Sequence, residues 1–405
     1  MRSCTVLLVI CLLAIPTARA QPDFGITFSG FVKTDLMYDT RQTVALREGY
    51  FLLYPAPAAY DTAGRDINAE SNFNILSIQS RLAGKITAPD AFGAKISGLL
   101  EGEFFGTSDG DVSGFRLRHA FVKMDWERSS LLVGQFWHPM FVVEMFPGVV
   151  SFNTGVPFQP FSRNPQVRFT HTMGPMKLTA AAMAQRDFQS NGPVGYSTSY
   201  LRNAVLPNLH AQAQYAEGGH LIGAGFDYKK LKPRLITVKN VAADATIGSM
   251  AGLGFLKLDL DPVTVKAEGT YGENLTDMML LGGYAVTSID PVTGVEAYTP
   301  GTSLSVWGEV STGKELEAAV FSGYAKNLGT RDDFRGPTYG RGMDIDRVFR
   351  VSPRIQWNSG NTRFSAEVEY TSARYGIPNG LNNGKVEKVV NVTNTRVLLA
   401  AWLFF

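Results

Sequence analysis

Side chains along this chain alternate between apolar and polar over nearly its whole length, and past the first twenty residues no run of about eighteen apolar residues occurs. A period of two is a strand period, because successive side chains of an extended backbone point to opposite faces. Leu76, Ile78, Leu82 and Ile86 alternate with Ser77, Gln79, Arg81, Lys85 and Thr87. Ala94, Ile96, Leu100 and Phe104 then alternate with Lys95, Ser97, Glu101 and Glu103. The first segment sets Phe24, Ile26, Phe28, Val32, Leu36 and Tyr38 against Thr27, Ser29, Lys33 and Asp35. The polar face holds charges of both signs, as a wet lumen would, while the other face suits hydrocarbon. The last strand of a soluble sandwich could also end in such a pattern. A chain without helical spans that sits in a bilayer has one option, a closed barrel that satisfies its own backbone groups.

The N-terminus reads as an export signal. Arg2, an apolar stretch from Val6 to Ile15 and the Ala18-Arg19-Ala20 site predict a signal peptide over 1–20 and a mature chain of 21–405. Cys4 and Cys11 both fall inside it, and Ile10 before Cys11 argues against a lipoprotein signal. Cleavage leaves no thiol, which excludes disulfides, iron–sulfur clusters and cysteine-ligated zinc. It also removes Arg2 and Arg19, taking 38 basic residues to 36 against 36 acidic ones. With no net positive field, nucleic acid is not an expected partner. Charged residues at 18% lie below the usual quarter, and 41 glycines and 11% aromatics fit a lipid-facing surface.

Connections alternate short and long. Tight turns are expected at Pro89-Asp90, 127–129, 174–175, 217–219, 261–262, 312–314 and 358–361. Longer stretches lie near 39–71, 106–113, 139–165, 188–207, 237–246, 275–301, 327–345 and 375–391. Fifteen connections imply an all-β transmembrane antiparallel β-barrel of about sixteen strands, with short periplasmic turns and long extracellular loops. Tyr38, Trp126, Trp137, Tyr228, Tyr271, Trp307, Tyr324, Trp357, Tyr370 and Trp402 fall near strand ends, where interfacial aromatics anchor barrels.

Enzyme signatures are scarce. There is no H-E-x-x-H, G-x-S-x-G or Walker motif, no cofactor is implied, and no metal site is expected. His119, His138, His171, His210 and His220 are not paired at ligand spacing, so each is read as structural or surface.

Counting back from Phe405 in twos gives Leu403, Ala401, Leu399 and Val397. A strand ending this way on Phe resembles the C-terminal signal read by the assembly machinery of Gram-negative outer-membrane barrels. Phe115-Arg116-Leu117-Arg118-His119-Ala120-Phe121-Val122-Lys123-Met124, followed by Leu131-Leu132-Val133-Gly134-Gln135, is similar to the strand pair before the constriction loop of trimeric porins. The stretch Ser151–Arg163 further resembles a porin-like group with no settled substrate. The chain lacks the Pro-Glu-Phe-Gly-Gly motif of general porins, and Glu144-Met145-Phe146-Pro147-Gly148 only echoes it.

The resemblance implies a homotrimer in outer-membrane lipid that passes small hydrophilic solutes by diffusion. The 139–165 loop would fold inward, stiffened by Pro147, Pro157 and Pro160. Glu144 on it would face basic groups of the wall, with Arg81, Lys85, Glu101, Glu103, Arg118, Arg163 and Arg168 as further candidates for the pore lining. Two other readings stay open. One is an outer-membrane lipid hydrolase with a histidine near a serine at the rim; the other is a plugged barrel serving as an adhesin or structural anchor.

Overall fold

The computed structural model describes residues 24–405, so the predicted signal peptide over 1–20 lies outside the described residues. Sixteen strands build one sheet: β1 Gly25–Asp39, β2 in two pieces Asn72–Leu76 and Arg81–Ala91, β3 Ala94–Glu103, β4 Arg116–Asp125, β5 Ser129–Trp137, β6 Arg163–Met173, β7 Met176–Met183 and β8 Asn208–Glu217. They continue as β9 His220–Leu231, β10 Ile247–Asp259, β11 Val263–Glu273, β12 Glu296–Thr312, β13 Leu316–Thr330, β14 Ile345–Ser359, β15 Thr362–Asn379 and β16 Lys385–Phe404. Each pairs antiparallel with its sequence neighbour, and β1 pairs back onto β16 from Phe31↔Phe404 to Asp39↔Arg396. Gly30 and Phe405 exchange both backbone hydrogen bonds, at 2.9 and 3.1 Å. The sheet is closed.

Burial is inverted relative to a soluble protein. On β1, Ile26, Phe28 and Val32 are 59, 64 and 52% exposed, while Lys33, Asp35 and Asp39 on the inner face are at most 1% exposed. Val397, Leu399, Leu403 and Phe405 point outward and are exposed; Ala401, on the same face, is half-buried. Apolar rows of this extent are stable against lipid and would associate in water.

The seam between β1 and β16 carries a second lock inside the barrel. Arg396 Nη2 and Nε donate to the Asp39 carboxylate at 2.6 and 3.0 Å, and Asn394 Nδ2 donates to it at 2.7 Å. Arg396 Nη2 also donates to the Gly49 carbonyl at 2.8 Å. A bidentate buried pair fixes register as well as contact.

Several expectations are corrected. The first short turn is not Pro89-Asp90, which lies within β2, but Phe92-Gly93, with φ of 54° and 69°. Two successive positive φ values match the right-handed strand twist, which a Pro-Asp pair cannot supply. Ile78, assigned to the lipid-facing row, is buried because the backbone turns at Ser77–Ser80 and interrupts β2. The 375–391 stretch is mostly β-hairpin, with β15 and β16 running on together to Asn379 and Lys385. Part of 275–301 is also strand: Gly282–Ile289 pairs with the start of β12.

Removing one partner of the Asp39–Arg396 pair leaves an unpaired buried charge, which costs about 3–5 kcal/mol. Asp39→Ala is therefore expected to unfold at clearly lower urea than the parent barrel, read by loss of heat-modifiable mobility on electrophoresis. An unchanged midpoint would show the seam held by backbone bonds alone.

Candidate functional site: the lumen and its inward-folded loops

A β-bulge between β3 and β4 sets the inner wall. Glu101 pairs with His119 and Gly102 with Leu117, so Arg118 is the extra residue, and both Arg118 and His119 face inward. Arg116, one alternation earlier, also faces in. Four guanidinium groups thereby converge on three carboxylates. Glu103, fully buried, accepts from Arg81 at 3.2 Å, Arg116 at 3.0 Å and Arg118 at 2.6 Å. Glu101 accepts from Arg118 at 2.6 Å, and Asp187 accepts from Arg163 at 2.8 Å and Arg116 at 3.1 Å. Burial by itself would raise the Asp187 carboxyl, but Arg163 and Arg116 outweigh it and hold the group below the usual carboxylate range.

The segment 138–162, between β5 and β6, crosses the lumen. Its backbone would lose water there, so its amides and carbonyls need partners from the wall. Those partners are charged side chains. Gly148 N donates to Glu309 at 2.7 Å, Val150 N to Glu367 at 2.7 Å, and Asn153 Nδ2 to Glu369 at 2.8 Å. In return Lys33 donates to the Val150 carbonyl and Arg350 to the Val156 carbonyl, each at 2.8 Å. The loop is thus tied to β1, β12, β14 and β15, on the wall facing its own root. Gly323 on β13 makes room for it, since a Cβ there would lie 2.3 Å from Phe158 Cγ.

Two more segments fold inward against it. Tyr50–Tyr54 of the first loop are buried, with Tyr50 bonded to Asp35 and the Leu53 carbonyl accepting from Arg350 at 2.7 Å. Asn274–Leu281 after β11 are buried as well, with Asp277 paired to Lys229. Phe51 packs edge-on to Phe152 and Phe161, centroids 5.5 and 5.3 Å apart, and the Met278 carbonyl accepts from Phe161 N at 2.9 Å. Three loops therefore share one apolar core inside the long-loop half of the barrel. Beneath it, toward the short turns, lies a cavity of about 490 Å³. Lys33, Arg81, Arg118 and Arg363 line it against one acid, Glu101, among aromatic walls of Phe31, Phe136, Trp137 and Trp402.

The sequence candidates divide. Arg81, Glu101, Glu103, Arg118 and Arg163 come together in one ion-pair network. Arg168 faces inward and donates to Gln166 at 2.9 Å and to the Trp137 carbonyl. Lys85 shares the inner face of β2 but lies nearer the short turns and is exposed. Glu144 does meet a base of the wall, but that base is Lys177 on β7, with Gln214 on β8 beside it, and not Arg81, Lys85 or Arg118. Beside that loop-to-wall pair, acids and bases pair with each other along one wall. Arg116, Arg350, Arg354, Glu309, Glu367 and Glu369 were not singled out from the sequence. The alternation of Arg350-x-Ser352-x-Arg354 and Glu367-x-Glu369 marks one inward face on each strand and could have found four of them.

Histidines unpaired in sequence meet in space. His138 Nε2 and His210 Nδ1 each lie 3.3 Å from Asp227 Oδ2, and Asn208 Nδ2 donates to the same carboxylate at 2.8 Å. The donor types suit a divalent metal. However, His138 Nδ1 accepts the Met140 amide at 3.2 Å, which leaves the proton of a neutral ring on Nε2, facing Asp227. In that tautomer His138 presents an N–H to Asp227 and no lone pair to a metal, and the cluster packs the loop root against β8 and β9. Ser129 Oγ lies 2.9 Å from His171 Nδ1 near a short turn, but among the described residues no acid orients that ring.

No family model matches the chain, and no curated protein matches it in sequence. Solved structures do match its fold. The outer membrane channel DcaP of Acinetobacter baumannii is 15% identical over 94% of this chain and 97% of its own, with a TM-score of 0.68. The anion-selective porin from Comamonas acidovorans is 12% identical over 95% and 100%, TM-score 0.54. OmpT, an outer membrane protein of Vibrio cholerae, is 11% identical over 94% and 98%, TM-score 0.55. The chain has the sixteen-strand barrel fold of Gram-negative outer-membrane porins.

Filling the space at Gly323 should displace Phe158 and loosen the inward loop. Gly323→Val is expected to raise single-channel conductance in planar bilayers while heat-modifiable mobility is retained. A variant with parental conductance would place the narrowest point elsewhere.

Proposed function

We propose that the mature chain is an outer-membrane channel through which small hydrophilic solutes diffuse passively, and that it prefers anions. The observation that carries this is the lumen itself, polar-walled and crossed by a loop fastened to the opposite wall. Water in such a passage removes the dehydration cost that keeps polar solutes out of hydrocarbon, so no catalysis is needed. Lys33, Arg81, Arg118 and Arg363 around the cavity below the loop still outnumber Glu101 and the buried Asp35 and Glu103 paired with them, and that surplus supports the anion preference. The similar Comamonas protein is itself described as anion-selective. Glu101, Glu103, Arg163 and Arg168 take the role of wall groups that shape the field, Lys85 that of a mouth charge, and Glu144 that of a loop anchor. A homotrimer fits the reading, and a trimer form of OmpT is among the structures of similar fold. Val397, Leu399, Ala401, Leu403 and Phe405 would serve as the signal for the barrel assembly machinery.

One observation favours a second reading. The shared core of Phe51, Phe152, Phe161 and Met278 fills much of the long-loop half, as in a plugged barrel that presents its loops as a binding surface. Planar bilayers separate the two. A channel shows stepwise conductance and a reversal potential on the anion side, whereas a plug stays silent.

Arg363 lines the cavity and, among the described residues, has no acidic partner in bonding range, so its charge can be reversed without stranding a buried carboxylate. Arg363→Glu is expected to move the reversal potential toward cations in a salt gradient, with an effect that fades at high ionic strength. An unmoved potential would take Arg363 out of the selectivity field.

A further inference from the structure

We infer that the outer wall of β13–β15, at the long-loop edge of the apolar band, binds the phosphate of a phosphorylated lipid in the outer leaflet. Register places three cations side by side there: Lys326 opposite Arg347, and Arg347 opposite Arg374. All three lie on the lipid-facing side, because Phe349 and Tyr370 on the same rows are exposed while Val348, Arg350 and Ala373 between them are buried. Like charges directly opposite on neighbouring strands are destabilising. A single acid offsets them. Asp346 bonds Lys326 and lies 3.9 Å from Arg347 Nε, and Arg374 has no acidic partner among the described residues. The row keeps an excess of positive charge at a place where hydrocarbon, not water, lies below.

The surroundings fit a phosphate. Arg347, Arg374, Ser372 and Asn391 line a depression of about 380 Å³, floored by Tyr324 and Phe349. The Ser372 hydroxyl lies 2.8 Å from Asn391 Oδ1, which leaves the Asn391 amide NH₂ free to donate outward. Guanidinium groups offer paired donors that match phosphate oxygens. The depth is right for a headgroup. From Trp357 to Phe349 the outward row of β14 spans about 27 Å of strand, or about 20 Å of bilayer at a tilt near 40°. Arg347 lies one alternation beyond that edge, where a headgroup phosphate can reach it while acyl chains lie along Phe349, Val351 and Tyr370. Phosphate in solution offers the same charge but nothing to cover this apolar floor, which favours the lipid as the source.

The inference rests on the membrane reading of the barrel and not on channel activity, so lipid retention and conductance can fail separately. The test is native mass spectrometry of the detergent-solubilised protein with added diphosphorylated lipid A, phosphatidylcholine or inorganic phosphate. Lipid A is expected to be retained at least about tenfold more tightly than phosphatidylcholine. Arg347→Gln/Arg374→Gln should remove that difference, while Arg65→Gln in an exposed loop should not. Heat-modifiable mobility confirms that the double variant folds, and single Arg374→Gln gives the same reading if it does not. Equal retention of the two lipids would overturn the inference. So would unchanged retention by the variants, or full competition by millimolar inorganic phosphate.

Discussion

The structure depends on the hydrogen bonds that join its first strand to its last. In hydrocarbon an unpaired backbone N–H or carbonyl has no water to turn to and costs several kcal/mol, so a sheet with free edges cannot persist there. The β1–β16 pairing removes both edges at once, from Phe31↔Phe404 to Asp39↔Arg396. Closure then divides every strand into a lipid row and a lumen row. All later features, from the arginine network to the lipid-facing cations, are consequences of that division.

Enclosure creates the next constraint. A lumen collects polar side chains and then deprives them of bulk water, so charges must be paired or the loops must supply partners. Both solutions are present. Arg81, Arg116, Arg118 and Arg163 share Glu101, Glu103 and Asp187, while Glu309, Glu367 and Glu369 accept amide groups from the crossing loop, Glu309 and Glu369 in addition to pairing with Arg354 and Arg350. The acids of β12 and β15 thereby replace the solvent that the loop backbone gave up. The same acids hold the loop across the lumen, which ties the width of any passage to the electrostatics of the wall.

Legibility in the sequence followed the range of the interaction. The strand count, six of the seven short turns and the outward row of the last strand were readable, because alternation and turn residues act over a few positions. Errors arose where the backbone departed from regular geometry. Ile78 left the lipid row at an interruption no residue type announced, and the first turn used Phe92-Gly93 beside a more conspicuous Pro-Asp pair. Candidate lumen charges were found where two neighbouring strands carried alternating ions, as at Arg81 with Glu101 and Glu103. They were missed where the partner was a loop amide more than a hundred residues away, as at Glu367 and Val150. Glu144 was found to face a base of the wall, but the base is Lys177, which the sequence did not single out.

Alone, the amino-acid order determined an even-stranded closed barrel, its lipid-facing side and its two ends, since each follows from local period, turn chemistry and the need to satisfy backbone groups. The tertiary structure alone decided what fills the barrel. Three loops distant in sequence meet in one core, histidines 72 residues apart share Asp227, and cations of three strands line up on the outer wall. Such contacts are set by strand tilt and register, which act across the whole cylinder and leave no trace in any short window of residues.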